Sequence, residues 1–215
     1  MKFAFYISGN SGRLTKYLRY YNPDMDIAVV ISDKEIGSDL SELIEGKGID
    51  YKCFDYLGSG STPAERNLAL SDYMLDVFDN LSVDYMVSFG AHILRGDLLD
   101  SYRNRLINFH PAILPMFPGI RSIDQAVDYG NVFLVGNTAH FIDEEVDHGS
   151  IIMQSVIPLQ GFLDSEGNYD LILDYQVEML DKLLKVLEEN RLKETGDRVI
   201  IQGADYTKGA IYPSV

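Results

Sequence analysis

The residues of this chain best suited to chemistry are Asn108 and His110, which close an apolar run, and Asp147, which lies in a later Val-Asp-His-Gly segment. They bring together an amide, an imidazole and a carboxylate, groups that donate and accept hydrogen bonds and protons. Alternate side chains of an extended segment share a face, so Asn108 and His110 should project together while Phe109 points into the packing. Pro111 favours an extended conformation for His110 and should end the strand there. Open parallel sheets bind ligands at the carboxyl ends of their strands, so this location favours chemistry over packing.

The elements that position these residues are predicted from the pattern of apolar runs. Short apolar runs predict strands, and amphipathic spacing predicts helices. The two kinds alternate, which predicts an α/β domain over residues 1–190, followed by a polar, Gly-containing extension over 191–215 that no core pattern claims. The predicted strands are 3–7, 27–31, 51–54, 85–89, 106–109, 133–142 and 151–159, and the predicted helices are 14–21, 38–45, 63–79 and 170–189.

Composition narrows the class of protein. Of 215 residues 46% are hydrophobic, enough for a sizeable core. Eighteen basic against 33 acidic residues give a net charge of −15, which disfavours a nucleic-acid partner. Cys53, the single cysteine, lies in an apolar run and is expected to be a small buried residue without a catalytic role. No apolar stretch has the length of a membrane helix and no signal peptide is evident, so we expect a cytoplasmic protein without a membrane partner. A homodimer stays open.

Several motifs occur in a fixed order over roughly residues 3–190. As a set they resemble the formyltetrahydrofolate-dependent formyltransferase family, above all its members that formylate glycinamide ribonucleotide. The resemblance implies a Rossmann-like formyltransferase fold, with a mostly parallel twisted sheet and helices on both faces. It also implies 10-formyltetrahydrofolate as formyl donor, a small, phosphorylated amine as acceptor, and no metal. The motifs are Ile7-Ser8-Gly9-Asn10, residues 90–94, Asn108 to Pro115, Pro118-Gly119, Thr138 to Ile142 and Asp147-His148-Gly149.

By this resemblance Asn108, His110 and Asp147 are the catalytic residues. An amine attacks the formyl carbon, and negative charge develops on the formyl oxygen. The Asn108 amide and a protonated His110 can donate hydrogen bonds to that oxygen. The Asp147 carboxylate can raise the pKa of the imidazole, or accept the proton of the attacking amine directly or through water.

The resemblance also implies the binding residues. The folate pocket is expected between two loops, at Gly90, Ile93, Leu94, Phe141, Ile142, Asp143 and Val146. The acceptor phosphate is expected at the turn between the first strand and the first helix, formed by Gly9, Asn10, Ser11, Gly12 and Arg13. Arg13 departs from the family pattern: it could bind a phosphate, but it is bulkier than the asparagine it replaces. The late acidic residue that contacts ribose hydroxyls falls at Gln176 or Glu178, of which Glu178 is the predicted one.

Other interpretations of the same residues stay open. Asn108 and His110 could only satisfy a sheet edge, and Asp147 could belong to an ordinary turn. A metal site at His92, His110, His140 and Asp147 is disfavoured because no pair has metal-ligand spacing on one element.

Among functions, formylation of glycinamide ribonucleotide leads, and formylation of a nucleotide-linked amino sugar is the nearest rival. A formyltetrahydrofolate hydrolase would usually carry a further domain before Met1, and a non-catalytic folate-binding module would not need all three candidate catalytic residues. Methionyl-tRNA formylation is disfavoured by the charge and by the lack of room for an RNA-binding domain.

Overall fold

The structure, a computed structural model, describes residues 1–21, 25–164, 169–195 and 198–207. Its strands are β1 (Lys2–Ile7), β2 (Asp26–Ser32), β3 (Asp50–Cys53), β4 (Tyr85–Phe89), β5 (Leu106–His110), β6 (Leu134–Phe141), β7 (Ile151–Pro158), β8 (Leu192–Thr195) and β9 (Arg198–Ile201). Its helices are α1 (Gly12–Tyr20), α2 (Ser38–Gly46), α3 (Pro63–Leu81), α4 (Asp97–Ser101), α5 (Ser122–Tyr129), α6 (Leu159–Asp164) and α7 (Tyr169–Glu188).

Strands β1 to β7 form a mostly parallel sheet of order β3-β2-β1-β4-β5-β6-β7. The pairs β1–β2, β1–β4, β2–β3 and β4–β5 are parallel, and β6–β7 is antiparallel. The predicted α/β class and the mostly parallel sheet are therefore confirmed. The strand order reverses at β1, which lies between β2 and β4, and open α/β sheets bind ligands beside such a reversal.

One compact unit comprises Met1–Phe109 and Phe141–Gly149. Alternation along β1 directs successive side chains to opposite faces of the sheet. Tyr6 packs in a core with Leu70 and Met74 of α3, whereas the Phe5 ring lies against Tyr17 of α1, 6.4 Å between centroids. Helices therefore cover both faces of this part of the sheet, as predicted.

The predicted start of α3 at Pro63 is also confirmed. Thr62 precedes it in extended conformation, and its hydroxyl accepts a hydrogen bond from the Glu65 N–H. The Glu65 carboxylate accepts the Thr62 N–H in return, which completes a capping box with proline at the first helical position.

The other compact unit comprises His110–His140 and the described residues from Ser150 onward. Its core is made by residues from β6, β7 and the three helices α5, α6 and α7. The members buried there are Ile123, Ala126, Val135, Ile157, Leu159, Phe162 and Ile172.

Three expectations from sequence need correction. The extension over 191–215 was expected to lack core contacts, but β8 and β9 pair as an antiparallel hairpin and Ile201 is buried; residues 208–215 lie outside the described part. Cys53 is exposed rather than buried, because it ends the short edge strand β3. Helices α4, α5 and α6 were not predicted, since each spans at most eight residues and so offers little periodicity.

The described helices include none that is both long and apolar enough to cross a bilayer.

We expect Gly136→Ala to destabilise the protein by at least about 2 kcal/mol, because an added methyl group would lie 2.0 Å from the Ser155 carbonyl oxygen across the β6–β7 pair. Gly46→Ala is the matched control: no atom lies within 4 Å of its added carbon, and α2 should tolerate alanine there. Urea unfolding of both variants checks this. Equal midpoints for Gly136→Ala and the wild type would contradict it.

Candidate active site

Asn108 and His110 lie at the carboxyl end of β5, with Asn108 half-buried and His110 buried. Between them Phe109 is buried, and its ring packs edge-on against Phe89 of β4 with 5.5 Å between centroids. The prediction that Phe109 points into the packing is confirmed, as is the end of the strand immediately before Pro111.

The His110 ring is oriented by a backbone carbonyl. Its Nε2 lies 3.0 Å from the carbonyl oxygen of Phe117. A carbonyl oxygen only accepts, so Nε2 carries the hydrogen in this contact. With that N–H engaged, the ring can donate a second hydrogen bond from Nδ1 only as an imidazolium.

The segment that carries this carbonyl is held by side chains of β6 and β7. The buried Thr138 hydroxyl donates to the Ala112 carbonyl (2.7 Å) and accepts from the Leu114 N–H (3.0 Å). The Gln154 amide donates to both the Leu114 carbonyl and the Thr138 hydroxyl, each at 3.0 Å. Sequence reasoning missed these two supporting residues. The available signal was polar side chains inside two predicted strands.

Asp147 occupies a tight loop and has a left-handed backbone, φ +60°. That conformation costs an L-residue roughly 1–2 kcal/mol, and Asp is one of the few residue types that adopt it regularly. The end of this loop lies against the end of β6, because a side-chain carbon at Gly149 would lie 1.9 Å from the Phe141 carbonyl oxygen. The backbone of the loop therefore fixes the position from which the Asp147 side chain projects. A simple exposed turn does not require such a close approach.

The predicted acceptor turn is held onto the end of β2. Gly9 has φ +63°, and its N–H donates to the Ser32 hydroxyl at 3.2 Å. The Asn10 side-chain oxygen accepts the Gly37 N–H. These residues thus position the turn through contacts within the protein.

The same turn begins helix α1. The Ser11 hydroxyl caps the helix by accepting the Leu14 N–H at 3.3 Å. Gly12 and Arg13 form the first turn, where a helix presents backbone N–H groups and the positive end of its dipole.

Arg13 is a desolvated cation on this first turn. Its guanidinium carbon lies 5.0 Å from the centroid of the Phe89 ring, and burial lowers its pKa to about 10. In the part of the chain that the structure describes, no carboxylate forms an ion pair with it. A pKa of about 10 keeps the side chain charged at neutral pH. The arrangement suits binding of an anion from outside the protein.

The predicted folate residues in the loop after β4 differ in how far their side chains are exposed. Leu94 is buried in the core of the first unit, so its side chain is unavailable to a ligand, whereas Ile93 is 40% exposed. Gly90 is required by packing, because a side-chain carbon there would lie 1.9 Å from the Tyr6 ring. Packing within the first unit thus accounts for both Leu94 and Gly90.

The predicted folate residues of the second loop divide in the same way. Phe141 is buried, and Ile142 packs against the core of the first unit. Asp143 and Val146 are exposed, and the Asp143 carboxylate accepts the Glu145 N–H at 3.0 Å.

The two candidates for the late ribose contact lie on opposite sides of α7. Glu178 is about half exposed and pairs with Lys182 at 2.6 Å, one turn further on. Gln176 is buried, and its amide nitrogen lacks a hydrogen-bond partner in the described part of the protein. The ribose contact predicted at Glu178, with Gln176 as the alternative, stays a prediction.

The histidines raised as metal ligands have other partners. His92 lies 3.1 Å from Asp33, and His110 contacts the Phe117 carbonyl. Within the described ranges, no three His, Cys, Asp or Glu side chains are grouped so as to hold a metal ion.

The chain is similar in sequence to two kinds of known protein. The chain is 32% identical over 162 residues to phosphoribosylglycinamide formyltransferase of Bacillus subtilis (strain 168), covering 74% of this chain and 80% of that one. It is 28% identical over 191 residues to formyltetrahydrofolate deformylase of Escherichia coli (strain K12), covering 88% of this chain. It spans 65% of the length of that deformylase.

A solved structure agrees with these sequence relatives. The crystal structure of glycinamide ribonucleotide transformylase 1 from Symbiobacterium toebii superposes with a TM-score of 0.75 at 27% identity, covering 94% of this chain and 93% of that one. The sequence profile of the formyl transferase family matches residues 1–184. The chain belongs to the formyl transferase family.

Proposed function

We propose that this protein is an N-formyltransferase that moves the formyl group of 10-formyltetrahydrofolate to the primary amine of a small phosphorylated substrate. Glycinamide ribonucleotide is the leading acceptor. The observation that carries the proposal is the arrangement at the end of β5. There the half-buried amide of Asn108 and the buried imidazole of His110 lie two residues apart, and the Phe117 carbonyl orients the imidazole.

In the proposed reaction the amine nitrogen attacks the formyl carbon, and the carbonyl electrons move onto its oxygen. The Asn108 amide and the imidazolium of His110 donate hydrogen bonds to that oxygen. The Phe117 carbonyl orients the His110 ring through Nε2. The bond to N10 of the folate then breaks. The proton of the attacking amine passes to Asp147 directly or through water, and Asp147 returns it by the same route to N10 as N10 leaves, while the carbonyl double bond of the formyl group re-forms.

The acceptor is proposed to bind at the first turn of α1. Arg13 provides a charge that no described carboxylate neutralises, and Gly12 and Arg13 add backbone N–H groups. Gly9, Asn10 and Ser11 hold this turn in place. A phosphate is the group that best fits one guanidinium beside a helix N-terminus.

The formyl donor is proposed to bind beside the loop 90–94 and the loop that follows β6. Leu94 and Phe141 can contribute only backbone groups, because their side chains are buried. The side chains of Ile93, Asp143 and Val146 are exposed, and we propose that they contact the folate. The pteridine ring would thus pair with backbone groups and lie against Ile93.

Hydrolysis of 10-formyltetrahydrofolate is the second candidate, favoured by the 28% identity to a deformylase over 88% of the chain. It would use water in place of the amine with the same three residues. Formylation of a nucleotide-linked amino sugar fits the same anion site. We assign the protein to the cytoplasm, as a soluble metabolic enzyme of this kind would be.

We expect the protein to consume 10-formyltetrahydrofolate only when an acceptor amine is present. The assay combines the folate with glycinamide ribonucleotide, with several nucleotide-linked amino sugars, or with no amine, and detects formylated product and free formate by mass spectrometry. Turnover to formate at the same rate without an amine would assign the protein to the hydrolases.

We expect Asn108→Ala to lower kcat by about two orders of magnitude with little change in the KM for either substrate, because an oxyanion donor acts in the transition state. Asn131→Ala, at an exposed position after α5, is the control. Steady-state kinetics and urea unfolding should be run together. An active Asn108→Ala enzyme would remove this amide from the mechanism.

We expect Arg13→Ala to raise the acceptor KM about tenfold or more and to leave the folate KM within about twofold, because it removes a charged hydrogen-bond donor. Arg19→Ala, which removes an exposed arginine from the same helix, is the control. An unchanged acceptor KM in Arg13→Ala would show that this turn does not bind the substrate.

A further inference from the structure

A buried carboxylate lies at the end of β2, outside the residues assigned so far. Asp33 follows the strand directly, and its side chain is fully buried. One of its oxygens, Oδ2, accepts hydrogen bonds from the Tyr6 hydroxyl (2.9 Å) and the Ser8 hydroxyl (2.6 Å). Nε2 of His92 lies 3.1 Å from the same oxygen.

These three partners of Asp33 come from two separate parts of the chain. Tyr6 and Ser8 belong to β1 and the turn that follows it, whereas His92 belongs to the loop after β4. The Ser8 hydroxyl also accepts the Ala91 N–H at 2.7 Å, which adds a second link between these loops. The turn after β1 and the loop after β4 are therefore both fixed to Asp33.

The loop after β4 is further shaped to fit this carboxylate. The His92 ring stacks on Tyr56, with 3.5 Å between centroids and 8° between planes, and Gly90 passes directly over the Tyr6 ring. These contacts orient Nε2 of His92 toward Asp33.

Burial shifts the pKa values of two groups in this cluster. It lowers the pKa of His92; the attraction of Asp33 opposes this, and Lys34 adds to the lowering. Burial, and then Asp33, raise the pKa of Tyr6 far above its ordinary value. The Tyr6 hydroxyl therefore keeps its proton and stays a hydrogen-bond donor. Removing the Asp33 carboxylate would leave the Tyr6 and Ser8 hydroxyls without this acceptor.

We propose that Asp33 is a positioning residue that couples the acceptor turn to the folate loop. Because one carboxylate oxygen holds both loops, ordering of either loop by a ligand favours the bound geometry of the other. The assignment of the two loops to acceptor and folate rests on the proposed function, whereas the coupling itself rests on these hydrogen bonds.

The first test does not depend on any ligand. In His92→Phe the ring can still stack on Tyr56, but it loses the polar contact with Asp33. Amide hydrogen exchange at Gly9, whose N–H donates to the Ser32 hydroxyl, should become about tenfold faster. Ser41→Ala, at an exposed position on α2, should leave exchange at Gly9 unchanged. Unaltered exchange at Gly9 in His92→Phe would overturn the proposal.

The second test measures coupling to a ligand. Tetrahydrofolate should slow exchange at Gly9 at least about fivefold in the wild type. Asp33→Asn, whose amide oxygen can replace Oδ2, should keep most of this protection, and Asp33→Ala should lose it. Bound tetrahydrofolate that leaves Gly9 unprotected in the wild type would contradict the coupling. Failure of tetrahydrofolate to bind would instead refute the proposed function, and the His92→Phe result would still decide the coupling.

Discussion

The constraint on which the first unit depends is that parallel strands all end at the same edge of their sheet. The register shows this directly: Ile7 at the end of β1 pairs with Ser32 at the end of β2 and with Phe89 at the end of β4. The residues that follow these three strand ends therefore lie close together. Ser8, Asp33 and the loop after Phe89 are neighbours for this reason, although they are far apart in sequence.

The surroundings of Arg13 show how local geometry can oppose the overall charge. A net charge of −15 opposes binding of an anion at a distance. At short range the Phe89 ring offers the guanidinium of Arg13 its π face, and the same ring packs on Phe109 of β5. The strand pairing that places Asn108 thus also places the ring that lies against Arg13.

Most of the fold could be predicted from sequence because its strands are apolar runs with clear boundaries. The strand at Tyr85–Phe89 was predicted to the residue, and β5 differed by one. The hairpin β8–β9 could not be predicted, because its strands have four residues each and only Ile201 is buried among them. Cys53 was misjudged because an apolar run does not reveal that its strand lies at the sheet edge.

Asn108, His110 and Arg13 were identified as candidate site residues from sequence, and their roles stay predictions. The contacts that support the site could not be predicted, because Thr138 and Asp33 act through hydrogen bonds to residues distant in sequence, which leave no local pattern. Leu94 was assigned to the folate pocket but is buried in the core of the first unit. The short apolar pair Ile93-Leu94 does not reveal from sequence which of its side chains is buried.

The supports matter because they fix the orientation of the His110 ring. Thr138 and Gln154 hold the segment 112–114, and that segment leads to the Phe117 carbonyl, which accepts the Nε2 hydrogen of His110. Removing the Thr138 hydroxyl would leave the Ala112 carbonyl and the Leu114 N–H without this partner and would loosen the segment. A buried threonine in β6 thereby helps to hold a histidine ring that it does not itself contact, in the way that supporting hydrogen bonds fix a functional side chain.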